Sequence, residues 1–81
     1  MNMIKFIKQA KSLDVDDLQV LRDVLSTKLY AAKYGSPERV NLQAQHDAVS
    51  DFLRRKLNAK LNTVRPGSPE WSEIFHQLMD V

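Results

Sequence analysis

His46 and His76 are the two histidines of a chain that has no cysteine, so proton transfer or metal ligation near neutral pH would fall to them first. His46 stands four residues after Leu42 and three before Val49, on or beside the apolar stripe of a helix. A catalytic base there would need a nucleophile or substrate within reach and a third group to orient it. Ser50 is near in sequence, but the chain has no nucleophile elbow, no Gly-rich loop and no second histidine close by. His46 therefore reads as a half-buried histidine at a packing edge. His76 has Glu73 three residues before it and Asp80 four after it, the spacing of a surface ion pair.

Zinc would require ligands converging from several directions, and no HExxH spacing is present. Asp14, Asp16 and Asp17 lack the central Gly and terminal Glu of a calcium loop, and Leu18 starts a helical stripe directly after them. Capping and favourable interaction with a helix dipole account for these carboxylates. With no P-loop and no dinucleotide fingerprint either, the residues lead us to expect no enzymatic activity, no cofactor and no metal.

Two groups of side chains suit binding better than catalysis. Arg54, Arg55, Lys56, Lys60 and Arg65 form a basic run with no acid among them. Such a row can contact phosphates along a nucleic-acid groove, yet it also suits the C-terminal dipole of a helix with no ligand at all. Asp14, Asp16, Asp17 and Asp23 cluster near the chain start, so a molecule with a positive and a negative pole is expected. Tyr30 and Tyr34, four apart, would share one face at the end of a helix and offer apolar area with polar tips. Val20 and Val24, also four apart, lie off the main stripe of the same helix and add apolar surface that a few small helices would leave uncovered. These four are the expected partner-binding residues.

The elements that must position them are marked by a repeated tetrapeptide, Gly35-Ser36-Pro37-Glu38 and Gly67-Ser68-Pro69-Glu70. In each copy Gly suits a left-handed position after a helix, Ser an N-cap, Pro the N1 position and Glu the first turn. Between these marks Leu18, Leu21, Leu25, Leu29 and Ala32 form one stripe, and Leu42, Val49, Phe52, Leu53, Leu57 and Leu61 another. Trp71, Ile74, Phe75, Leu78 and Met79 recur at i, i+3, i+4, i+7 and i+8. Asp14 followed by Asp17 resembles a capping box. Met3, Ile4, Phe6 and Ile7 suit a short first helix, which needs tertiary contacts to persist. No β-alternation or hairpin-turn dipeptide occurs. The expected fold is all-α, a small three- to four-helix domain over 1–81, with helices near 3–11, 15–34, 37–62 and 69–79. The second and third form an antiparallel hairpin, and the fourth closes over it.

At 81 residues the chain supports one small core, because a domain of about 60 residues buries only about 60% of its unfolded surface. Apolar residues at 43% and charged residues at 27% argue against disordered and membrane classes. Twelve basic against ten acidic residues is a mild excess. Lys5, Lys8 and Lys11 interrupt the apolar N-terminal stretch and no small-residue cleavage site follows. Neither a signal peptide nor a membrane span is read there, and a cytoplasmic protein is expected.

Lys11-Ser12-Leu13, Gln45-His46-Asp47 and Ser68-Pro69-Glu70-Trp71, with the order of a short basic helix, a long central helix and a Trp-bearing last helix, resemble the Hha/YmoA nucleoid modulators. That resemblance implies a helical protein that binds the dimerisation region of the H-NS nucleoid protein, although the family's Ala-Asp-His order is absent here. Phe52-Leu53-Arg54-Arg55-Lys56-Leu57-Asn58-Ala59-Lys60 is similar to one helix of the theta subunit of bacterial DNA polymerase III. Read from its residues, the chain is expected to be a small accessory or regulatory protein that binds a larger protein, with a homodimer as one way to cover its surface. The alternative is a nucleic-acid-binding module using the basic end of the third helix.

Overall fold

A computed structural model describes residues 3–81, so Met1 and Asn2 of the expected domain lie outside the described residues. These residues form four helices and no strand: α1 (Met3–Lys11), α2 (Val15–Ala31), α3 (Pro37–Leu61) and α4 (Pro69–Met79). The start of each of the last three helices is set locally. Asp14 accepts from the Asp17 N–H at 2.9 Å, Ser36 from the Arg39 N–H at 3.2 Å and Ser68 from the Trp71 N–H at 3.1 Å, each satisfying an amide of the first turn. Pro37 and Pro69 open their helices where no N–H is required.

The two glycines do a different job from the one expected. Neither follows its helix directly. The Ser36 N–H donates to the Lys33 carbonyl and the Ser68 N–H to the Arg65 carbonyl, both at 3.1 Å, with Gly35 at φ 79° and Gly67 at φ 83° in third place. That is the arrangement of a type II turn, which needs positive φ at that position and favours Pro, here Pro66, just before it. Each repeat is therefore a tight turn closing on the N-cap serine of the next helix.

The second helix ends at Ala31 and not at residue 34. Ala32 is extended, at ψ 142°, and the Arg39 guanidinium, from the start of α3, donates to the Leu29 and Ala32 carbonyls at 3.2 and 3.4 Å. A side chain ten residues on thus satisfies the last carbonyls of α2, and the chain is released early enough to reverse. The third helix ends at Leu61, one residue before the expected end.

Each of the other helices packs on α3. Leu18 and Leu25 of α2 meet Leu42, Val49, Leu53 and Leu57 of α3 in the core, joined by Ala10 and Val15. Gln45 is the buried polar residue among them. At the open end of the α2–α3 hairpin, the Lys56 ammonium donates to the carbonyls of Lys11, at 3.2 Å, and Leu13, binding α3 to the end of α1. Arg22 of α2 donates to the Asp80 carbonyl at 3.2 Å, just past the end of α4.

α4 has no fully buried residue. Ile74 and Leu78 pack against the core with Val81, whereas Phe75 and Met79 face outward. Trp71 and Phe75 stack on each other, 5.1 Å between ring centroids at 10°. The helix leans on α3 more than it caps the hairpin: its packing partner is α3, and the edge of its apolar face that carries Phe75 and Met79 finds no second helix to cover it.

At 1.5 Å per residue α1 and α4 span about 13 and 16 Å, against about 37 Å for α3. α1 ends beside Lys56 and α4 ends beside Arg22, so both lie along the far part of the hairpin. The end of α2 and roughly the first ten residues of α3 project beyond them as a two-helix arm. This arm gives the molecule its extents of 45 × 23 × 14 Å.

Candidate protein-binding surface

The tip of the arm is apolar and open. Tyr34, in the turn after α2, is 88% exposed, and Val40, on the first turn of α3, is 65% exposed. With Gly35, Arg39, Gln43, Ala44 and Asp47 they line a shallow groove along the outer side of α3. Val40 and Ala44 are four apart on α3, on the side away from Leu42 and Val49, so α2 cannot bury them. Tyr34 is held in place by the Arg39 guanidinium, 5.3 Å from its ring centroid. The same Arg39 fixes the end of α2, so the shape of the groove is tied to the shape of the arm. On the far wall Gln43 donates to Asp47 at 2.9 Å.

Of the four expected partner-binding residues, all are exposed, but only Tyr34 belongs to this groove. Tyr30 and Tyr34 do not share a helix face, because α2 has ended at Ala31 before Tyr34 is reached. Val20 and Val24 lie further back along α2, exposed and away from the tip. Val40, Ala44 and Arg39 were not singled out in the sequence. Val40 and Ala44 stand off the Leu42–Val49 stripe, and that departure is the signal that could have found them.

The basic run separates into three environments. Lys56 is half-buried and committed to the carbonyls at the end of α1. Arg55 pairs with Asp51 one turn earlier at 3.1 Å. Arg54, Lys60 and Arg65 remain exposed. The expected separation of positive and negative poles does not occur, because an antiparallel hairpin returns the end of α3 to the start of α2. Asp16 and Lys60 line one groove together with Glu70 and Glu73 of α4. Acids from two other helices thus share a groove with Lys60, one of the cations that sequence alone grouped without any.

His46 is half-buried on α3, and its Nδ1 is buried without a hydrogen-bond partner, 3.8 Å from the Asp47 carboxylate. That distance is beyond a hydrogen bond. His76 is exposed, and among the described residues neither Glu73 nor Asp80 pairs with it. Among the described residues no three His, Asp or Glu side chains gather as a metal ion would require, and no helix is long and apolar enough to cross a membrane.

Comparison with protein-family models, curated proteins and solved structures finds no match for this chain. The two resemblances noted in the sequence therefore rest on the quoted residues alone.

Proposed function

We propose that the chain is a small accessory protein that acts by binding another protein, and that the tip of the α2–α3 arm is the surface it uses. The observation that carries this reading is the groove of Tyr34, Val40 and Ala44, an apolar surface held in shape by Arg39 on an arm that α1 and α4 are too short to cover. Large exposed apolar side chains grouped at one site mark contact surfaces, and a tyrosine with its ring preset by a guanidinium loses little freedom on binding. The second reading, nucleic-acid binding, retains Arg54, Lys60 and Arg65, with Asp16, Glu70 and Glu73 close to Lys60.

Affinity capture from the native cell with the intact chain, with Val40→Lys and with Arg54→Gln/Lys60→Gln/Arg65→Gln tests the two together. A protein retained by the intact chain and by the triple variant but lost from Val40→Lys is the expected result. Recovery of nucleic acid that only the triple variant loses, with a salt dependence falling by about 0.9 log units per contact removed, would replace the proposal with the second reading.

A further inference from the structure

We infer that the partner seated on the arm is a second copy of this chain, paired antiparallel about a two-fold axis beside Gln43. The inference rests on the reading of the arm tip as a protein-binding surface and names its occupant. The first argument is area. The chain exposes 5881 Å², whereas a folded monomer of 9.3 kDa is expected to expose about 5,000 Å². The excess of roughly 900 Å² matches the approximately 800 Å² that each partner buries in a stable interface of standard size. The radius of gyration agrees, at 14.3 Å against about 12 Å for a compact chain of this length.

The second argument is self-complementarity. A two-fold contact must satisfy each residue with one from the same surface. Arg39 and Asp47 stand at opposite ends of the groove, with Val40, Gln43 and Ala44 between them. Antiparallel pairing centred on Gln43 sets Arg39 of each copy opposite Asp47 of the other, so both ends of the contact join unlike charges. Val40 then lies between Ala44 and Asp47 of the opposing helix, where Ala44 is small enough to admit close approach. Tyr34 then covers the edge. Two projecting arms become a four-helix layer, supplying to each arm the neighbours that α1 and α4 do not reach.

Because the chain has no cysteine, a single introduced thiol reports the pairing directly. Sedimentation of the purified chain across a range of concentrations should show its mass rising from 9.3 kDa toward twice that value. Val40→Lys and Asp47→Arg should each weaken association at least about tenfold, or 1.4 kcal/mol, with helical circular dichroism unchanged. Under mild oxidation Ala44→Cys should form an intermolecular disulfide, and Ala59→Cys, exposed further along α3, should not. A chain monomeric at every concentration overturns the inference, as does a dimer that Val40→Lys leaves intact or that Ala59→Cys cross-links as readily. If the chain is monomeric and Val40→Lys still loses a captured protein, the binding surface stands and only its occupant is wrong; if Val40→Lys alters neither association nor capture, both fail.

Discussion

Lys56 shows how one side chain changes meaning once its neighbours are known. Its ammonium meets the carbonyls of Lys11 and Leu13, where the end of α1 leaves acceptors without helical partners. A cation there also complements the negative end of the helix. Lys56→Met keeps the long apolar stem and removes the charge, so it should cost about 1.5 to 3 kcal/mol, the scale of a hydrogen bond made by a charged group. Arg55→Met removes only an exposed ion pair with Asp51 and should change stability by less than about 0.5 kcal/mol. Urea unfolding of the two variants side by side checks this. Equal effects would mean that the Lys56 contacts hold nothing together.

At the level of the elements, the two Gly-Ser-Pro-Glu segments build the same device twice, a turn whose glycine has positive φ followed by a capping serine and an N1 proline. A Cβ at either Gly35 or Gly67 would meet nothing within 4 Å. The cost of an alanine there is therefore the backbone's alone, about 1 to 2 kcal/mol for a left-handed residue. Gly67→Ala should lower stability by that amount in a thermal melt, without changing helix content at low temperature. A neutral Gly67→Ala would show that the turn adopts another form. The α2–α3 arm has no equivalent safeguard on its flanks: Arg39 closes its tip, and Leu25, Leu42 and Gln45 fill its interior, but its outer side stays open.

For the molecule as a whole, α3 is the spine, and the far part of the hairpin carries both added helices. Truncation after Gly67 removes Ile74, Leu78 and Val81 from the core margin and the half-buried Trp71. Taken as half-buried, these side chains contribute together about 3 to 5 kcal/mol. That is most of the stability a small domain has, near 5 kcal/mol. The truncated chain should lose its cooperative thermal transition. Retention of a transition near that of the intact chain would show α4 to be an appendage to a self-sufficient three-helix unit.

The four helices and their starting points were legible in the sequence because they depend on neighbours: Leu18, Leu25, Leu53 and Leu57 recur at helical spacing, and Ser36 and Ser68 cap amides three residues away. The end of α2 was not, since its last carbonyls are taken by Arg39, whose approach exists only after the hairpin has closed. For the same reason the sequence showed a basic run free of acids, while the fold sets Asp16, Glu70 and Glu73 around Lys60. The arm tip was half legible. Tyr34 stood out, with Tyr30, as apolar area with a polar tip at the end of a helix, but that Val40 and Ala44 would stay uncovered beside it depended on the lengths of α1 and α4 and on where Lys56 and Arg22 anchor them. Periodicity says which face of a helix turns inward; only the packed structure decides how much of that helix finds a neighbour.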